Sequence, residues 1–352
     1  MFRPSRLVAV GAAAVLALVL GGCVESNRPA TSSAGSKCPW TPDTSVTTSA
    51  RIAYQKIPNA DLVVKDRGIL EACMPKAKIT WSSFASGGDV VQAYGAKSVD
   101  VGLMGSSPAT IAMSKPLSLP VSVIWIHDVI GDAESLVARD PSVKKLTDLK
   151  GKVIAVPFGS TSHFSLLQAL QDAGMDSSKD VKLVNLEPEK MPSAWQGKQI
   201  DAAWVWNPSL AQLLKSGHIV LSSADTAKAG KPTYDLGTAR DDFMKANPGF
   251  MKQWAKAEDW GVKLIQRKPA TAAESVAVEL GVSTKQAQAL FKGYQYLPAS
   301  QQADPAHLGG KLGKDLLSTA KFLYAQGGIA SVAPPSVYAR GVDPGPAKSA
   351  SQ

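Results

Sequence analysis

VIAVPFGSTSHFSLLQALQDA, residues 153–173, holds one complete strand, turn and helix. Val153–Val156 is an apolar run of strand length, and Gly159-Ser160-Thr161-Ser162 is a glycine-bearing turn rich in hydroxyls. Phe164, Leu166, Leu167 and Leu170 then give the apolar face of a helix expected over Ser162–Ala173. Short apolar strands followed by amphipathic helices are the pattern of α/β units. The same alternation extends outward in both directions. Further strands are predicted at Ile52–Tyr54, Ile79–Trp81, Val99–Leu103, Val121–Ile126, Val181–Asn185, Ala202–Trp206 and Ile219–Leu221. Helices are expected at Asp89–Ala96, Pro108–Met113 and Ser209–Ser216. After Arg240 the period turns helical, with helices at Pro248–Gln266, Ala270–Leu280, Thr284–Lys292 and Gly309–Gln326. This order predicts an α/β protein of two lobes whose first lobe is discontinuous: residues 51–130, then a second lobe over 131–235, then a helical return over 236–333. Val24–Ala50 is rich in Ser, Thr, Pro and Ala and reads, with Cys23, as a flexible tether over 23–50; residues 334–352 read as a flexible tail.

The N-terminus gives a compartment. Arg3 and Arg6 precede the apolar run Leu7–Leu20, which ends in Gly21-Gly22-Cys23. The run is shorter than the ~20 residues of a membrane span, and small residues stand where a signal peptidase cuts. Residues 1–22 therefore read as an export signal, and Leu20-Gly21-Gly22-Cys23 resembles a lipobox that would leave Cys23 lipidated and membrane-anchored. An ordinary signal with a chance cysteine is the plainer reading of the same residues. Cleavage leaves 330 residues, and because the leader carries two arginines and no acid, the net charge falls from +9 to +7. Charges are interspersed and no basic run with interleaved aromatics occurs, so nucleic acid is not expected as a partner. Cys38 and Cys73 remain in an oxidising space, where a disulfide is the natural expectation and two separate buried thiols the alternative.

Three strand ends run into small hydroxyl residues and then a helix: Ser86-Gly87-Gly88-Asp89, Gly105-Ser106-Ser107-Pro108 and Gly159-Ser160-Thr161-Ser162. Free backbone N–H groups at a helix start, with hydroxyls beside them, make an anion site without any arginine. Each motif alone is also an ordinary way to cap a helix. Three of them at the same place in successive α/β units favour an anion, because ligands in such folds bind beyond the carboxyl ends of the strands. His127, His163, His218 and His307 are scattered without ligand spacing or a cysteine partner, so the spacing predicts no metal site. No nucleophile elbow, phosphate loop or dinucleotide fingerprint is present, and no cofactor is expected. Trp204 and Trp206 share one side of a strand by period 2, with Trp206 nearer the strand end and so nearer a cleft.

Beyond these local readings, Ala53-Tyr54-Gln55, Phe84-Ala85-Ser86-Gly87, Gly105-Ser106-Ser107-Pro108, Glu134-Ser135-Leu136-Val137, Ala155-Val156-Pro157-Phe158, Ser160-Thr161-Ser162-His163, Ala194-Trp195-Gln196, Val205-Trp206 and Asp235 resemble the nitrate, sulfonate and taurine family of ABC-importer binding proteins. The taurine-binding pattern is the nearest. The resemblance runs from about Arg51 to Tyr338. It implies a type II periplasmic-binding fold, two α/β lobes joined by crossover segments near Asp128–Ser135 and Pro232–Arg240, closing on a ligand in the cleft. Carried over residue by residue, it implies ligand contacts from Tyr54, Gln55, Ser86, Ser106, Ser107, Glu134, Ser160, Thr161, His163, Trp206 and Asp235. A small sulfonate would be the ligand, a permease with cytoplasmic ATPases the partner, and a monomer the working state. Lys56-Ile57-Pro58 departs from the small residues expected after Tyr-Gln and bears on fine specificity. Alkanesulfonate and nitrate binding are alternatives within the family. A thiamine-pyrimidine enzyme on this fold would need a cysteine cluster that the sequence lacks, and a sensory receptor lobe would share the cleft and differ in partner.

Overall fold

The computed structural model describes residues 37–351, so the leader, Cys23 and the first part of the tether lie outside the described residues. Eleven strands are formed: β1 Ser49–Tyr54, β2 Lys78–Ser83, β3 Val101–Gly105, β4 Val121–Ile130, β5 Glu134–Ala138, β6 Val153–Val156, β7 Lys182–Asn185, β8 Ala202–Trp206, β9 His218–Ser222, β10 Tyr234–Arg240 and β11 Tyr294–Gln295. They make two sheets, ordered β11-β4-β10-β3-β1-β2 in the first lobe and β7-β6-β8-β5-β9 in the second. Every residue of β3 and β8 is buried, as a strand covered on both faces requires, and both sequences are runs of apolar and small side chains. The edge strand β2, KITWSS, alternates exposed with half-buried residues over its first four positions.

The second lobe is an insertion in the first. β4 leads through Gly131–Ala133 into β5, and the helix Ser223–Lys228 leads through residues 229–233 into β10. β10 therefore returns antiparallel between β3 and β4, whereas β1, β2 and β3 pair in parallel. The crossovers are shorter than the sequence suggests: Asp128–Ile130 still belongs to β4, and all of Pro232–Arg240 after Thr233 is strand, so Asp235 belongs to the first lobe's sheet. The return after residue 235 is likewise not purely helical, since β10 and β11 both join that sheet. Glu134–Ala138, read as part of a crossover and its sequel, is the fully buried central strand β5. Gly131 and Gly293 meet at the first crossover. A Cβ on Gly131 would lie 2.6 Å from the Gly293 carbonyl oxygen, which accepts hydrogen bonds from Gly131 N–H (2.9 Å) and Ala133 N–H (3.4 Å). Gly293 itself sits at φ +87°, in the region that favours glycine.

Each lobe has its own core. Trp125, Trp254, Phe250 and Tyr338 are among the largest buried side chains of the first lobe. In the second, the two faces of the sheet carry separate clusters, with Leu136, Leu166, Leu170 and Trp204 on one side and Trp195, Ala203, Val205 and Leu213 on the other. Among the described residues no helix is long and apolar enough to cross a membrane.

Two segments read as flexible are packed. Cys38 is bonded to Cys73 at the end of the helix Ile69–Cys73, Trp40 Nε1 donates to Gln253 Oε1 (2.9 Å), Val46 is buried, and Ser49-Ala50 already belong to β1. Standing 35 positions apart, the bonded cysteines contribute roughly 3–4 kcal/mol in the loop-entropy account. The tail forms the helices Pro335–Arg340 and Gly345–Ala350, and Val342 bridges to Val123 of β4. Its composition concealed a few well-placed apolar groups. Tyr338 is fully buried, its hydroxyl 2.9 Å from Ser114 Oγ and accepting from Ala333 N–H (3.1 Å). Tyr338→Ala should cost about 3–5 kcal/mol of stability, as loss of a buried aromatic does; chemical denaturation of the variant checks this, and a change below about 1 kcal/mol would mean the tail is not part of the folded unit.

Candidate functional site

The cleft lies where the two lobes meet. The first lobe supplies Gln55 and Ile57 after β1, Gly87 at the start of the helix Gly87–Gly95, Gly105 and Pro108 at the start of the helix Ser106–Met113, Ile130, Asp235 and Tyr294. The second supplies Glu134 from β5, Ser160 and Thr161 at the start of the helix Thr161–Asp172, and Trp206 from the end of β8. Strand pairing fixes these positions: Glu134 is opposite Trp206, and Asp235 is opposite both Gly105 and Asp128. The lobes are closed on each other, leaving about 10 Å³ of internal space, roughly that of one water. Thr161 Cγ2 stands against Gly105, where a Cβ would come within 2.5 Å. At the mouth, Lys56 Nζ reaches Glu189 Oε1 across the lobes at 3.1 Å, an exposed pair worth little energetically.

Three helix starts converge here, and they differ. Ser160 is spent as a cap: its Oγ accepts from His163 N–H (3.2 Å) and donates to the Pro157 carbonyl (2.6 Å). Ser86, by contrast, turns its hydroxyl to Asp89, and neither the Gly87–Gly95 helix nor the Ser106–Met113 helix has a side-chain cap. Their first-turn N–H groups thus have no side-chain cap, and the glycines at positions 87 and 105 admit the side chains of Pro108 and Thr161, which stand where a Cβ would be.

The opposite character lies beside them. Glu134 is fully buried, and its carboxylate accepts from Thr161 Oγ1 (2.6 Å) and Ser223 Oγ (2.8 Å). Burial pushes its pKa up, against the lowering effect of those hydroxyls. Asp235 is pushed up to about 8, by burial first and then by the Glu134 charge. Asp128 is pushed well above the ordinary carboxylate range by burial and by Asp235, which faces it closely enough for the two carboxyls to share a proton. The Tyr294 hydroxyl is also buried without a partner, and burial holds it protonated. No lysine or arginine lines the cleft.

Of the residues expected from the sequence, Gln55, Glu134, Ser160, Thr161, Trp206 and Asp235 line this space. Gln55 is oriented by donating from Nε2 to the Leu103 carbonyl (3.0 Å). Ser86, Ser106 and Ser107 stand one step behind the walls. Ser106 Oγ accepts from Tyr234 N–H (3.3 Å), and Ser107 Oγ is buried and partnerless. Tyr54 faces elsewhere, its ring edge-on to Trp81 and under Lys65 Nζ. His163 stacks on Phe158 with centroids 4.6 Å apart, its Nδ1 accepts from Gly159 N–H, and burial lowers its pKa to about 4. Neither Tyr54 nor His163 is on the cleft wall. Sequence reasoning missed Ile57, Ile130, Tyr294 and Asp128. The signal for Asp128 was available, since Val121–Ile130 is an otherwise apolar strand interrupted only by Ser122 and the pair His127-Asp128.

Two outcomes follow from this geometry. Gly105→Ala should hold the lobes apart and weaken ligand binding by about 10-fold or more while leaving each lobe folded; calorimetry with small-angle scattering tests it, and a closed, tight-binding variant would contradict it. A carboxyl whose folded pKa is above its unfolded value is protonated in the fold and ionised in the unfolded chain between the two values, so stability falls as pH rises across that interval. For Asp235 that window runs from 3.8 to about 8. Ligand-free protein should therefore lose melting temperature over this range, and Asp235→Asn should make the decline shallower; identical slopes would show that Asp235 is not held protonated.

The comparisons with known proteins agree with this arrangement. Over 263 residues the chain is 36% identical to the taurine-binding periplasmic protein of Escherichia coli K12, covering 73% of this chain and 80% of that one. It is 31% identical over 207 residues to a putative aliphatic sulfonates-binding protein of the same organism, covering 58% and 61%. Among solved structures, the alkanesulfonate-binding protein SsuA from Xanthomonas axonopodis bound to MOPS superposes with a TM-score of 0.69 at 21% identity, over 85% of this chain and 99% of that one. The desulfurization enzyme DSZB superposes with a TM-score of 0.62 at 15% identity, over 86% and 98%, so the fold also carries an enzyme. The NMT1-like family profile matches residues 44–280, two thirds of the chain, and with the two-lobed fold and the long alignment to a periplasmic binding protein, it identifies this chain as a member of the NMT1-like family.

Proposed function

We propose that this protein is the solute-binding component of an ABC importer and captures a small zwitterionic sulfonate, with taurine the best candidate. The observation that carries this reading is the polarity of the cleft. Uncapped helix starts offer N–H donors to an anion, and a few residues away Glu134 and Asp235, with Asp128 behind, ask for a cation. A sulfonate without an amine would leave those carboxylates uncompensated in a closed, dry site, at a cost of several kcal/mol. An ammonium two carbons from the sulfonate satisfies both ends. The Trp206 and Tyr294 side chains add an apolar wall and one hydroxyl donor. The named binding roles of the relatives, taurine and aliphatic sulfonates, support the substrate class.

Ligand contacts from both lobes would favour the closed state, which a permease then recognises; binding and closure are one population shift. The export-type leader and the periplasmic relatives support an extracytoplasmic location, and the lipobox-like Leu20–Cys23 supports a lipid anchor. A binding rather than catalytic role fits the cleft chemistry: Cys38 and Cys73 are bonded to each other, no histidine is on the wall, and the Glu134 carboxylate is held by the hydroxyls of Thr161 and Ser223. Thermal-shift screening and calorimetry against taurine, hypotaurine, isethionate, ethanesulfonate and nitrate should place taurine or hypotaurine first. Glu134→Gln or Asp235→Asn should cost taurine roughly 2–5 kcal/mol and leave weak ethanesulfonate binding little changed. Preference of the native protein for ethanesulfonate over taurine would overturn the zwitterion and leave an alkanesulfonate carrier.

A further inference from the structure

A second cluster of ionisable groups lies in the interior of the first lobe, apart from the cleft walls. It joins Asp61 at the start of the helix Ala60–Asp66, His127 on β4 and Glu258 in the middle of the helix Pro248–Arg267. All three are buried, at 2%, 0% and 0% exposure. His127 Nε2 is 3.7 Å from Asp61 Oδ2, its Nδ1 is 3.4 Å from Glu258 Oε2, and one donor atom from each residue lies within 4.8 Å of the others. None of these approaches is a hydrogen bond. Both His127 nitrogens lack a hydrogen-bond partner among the described residues, the two carboxyls face each other closely enough to share a proton, and no lysine or arginine among the described residues forms an ion pair with either acid.

The backbone also singles the position out. β4 and β10 pair Asp128 with Asp235 and Ile126 with Leu236, which leaves His127 as the extra residue of a bulge. Bulges re-aim a side chain that regular pairing would point elsewhere. Here it places an imidazole between two carboxyls brought from helices 66 or more residues away in sequence, which is why ligand spacing along the chain gave no sign of it. Gly237 makes room, since a Cβ there would lie 3.1 Å from His127 Nε2, and Trp254 stands edge-on to the imidazole at 6.1 Å.

Two carboxyls and an imidazole in a dry interior require positive charge, from protons or from a cation. An imidazole ligates through the lone pair of its neutral form and a carboxyl through its ionised form, so a bound ion would take the place of the protons. One imidazole nitrogen and one oxygen from each carboxyl lie within 4.8 Å of one another, wider than the roughly 3.4 Å edge of a tetrahedron with ligands ~2.1 Å from its centre, so an ion would draw the carboxyls inward. A divalent ion would balance the two carboxylates. The imidazole favours zinc or a similar transition metal over magnesium or calcium, which prefer all-oxygen shells. We propose that Asp61, His127 and Glu258 form a structural site for a divalent transition-metal ion, zinc above all, that fastens β4 to the two helices behind the ligand cleft.

The test uses the exported, tag-free protein dialysed against chelator-buffered zinc. Mass spectrometry of metal content should find about one zinc per chain, a strong chelator should lower the melting temperature, and cobalt substituted for zinc should show the visible absorption of a low-coordinate N/O site. Glu258→Gln and Asp61→Asn should each weaken zinc by about 100-fold or more in chelator competition, while His307→Gln, on an exposed side chain, should change nothing. Circular dichroism and a cooperative melting transition report that these variants remain folded. Zinc absent from the wild-type protein, or retained undiminished when either carboxyl is made an amide, would overturn the proposal in favour of acids neutralised by protons. Should the variants fail to fold, wild-type stoichiometry and the cobalt spectrum still decide. None of these readouts depends on the identity of the cleft ligand.

Discussion

Carboxylates without water are the constraint around which this molecule is arranged. Glu134, Asp235 and Asp128 are brought to one place, Asp235 and Asp128 as strand partners and Glu134 from the second lobe's sheet, and the closed lobes exclude most of the solvent that would otherwise screen them. A surface acid can be ionised at almost no cost; these cannot, and their pKa values are raised first by burial and, for Asp128 and Asp235, by neighbouring carboxyls. The same burial that makes the empty site costly makes an ammonium a strong partner, because an ion pair in a dry pocket is screened little. At the other end of the cleft the helix starts need no counter-charge at all, since their donors are part of the backbone. The cleft thus places these two kinds of group beside each other.

The carboxylates also sit at the hinge. Glu134 is the first residue of β5, immediately after the crossover Gly131–Ala133, and Asp235 is the second residue of β10, just after the other. Gly105, at the start of the helix Ser106–Met113, is paired with Asp235, and Thr161 packs on Gly105 across the cleft. The hydrogen bond from Thr161 to Glu134 links the second lobe's helix start to the same place.

Much of this was legible in the sequence because it rests on short-range signals. The strand–turn–helix of residues 153–173 is formed within one residue of its expected bounds, and the three hydroxyl-rich turns start helices at the cleft. What was not legible depends on partners far along the chain. β5 opens on a glutamate and β10 on Tyr-Asp, so neither looks like a central strand until its neighbours cover it. Tyr54 carried a family resemblance but faces Trp81, and His163 is taken up by stacking on Phe158. Asp128 and His127 were visible as polar residues in an apolar strand, yet only the bulge in β4 reveals that they serve different neighbourhoods. The tail was misread because Tyr338 and Val342 do their packing amid small and polar residues whose composition resembles a linker.

Both described ends of the chain belong to the same lobe. Cys38 fastens the N-terminal segment to the helix Ile69–Cys73, and the last two helices pack on the first lobe's core through Tyr338 and Ala347. The second lobe is thus a guest domain, entering after β4 and leaving before β10, with no terminus of its own. Whatever holds this protein by its N-terminus holds the first lobe still, and a partner that touches both lobes feels ligand capture as a displacement of the guest against a stationary host.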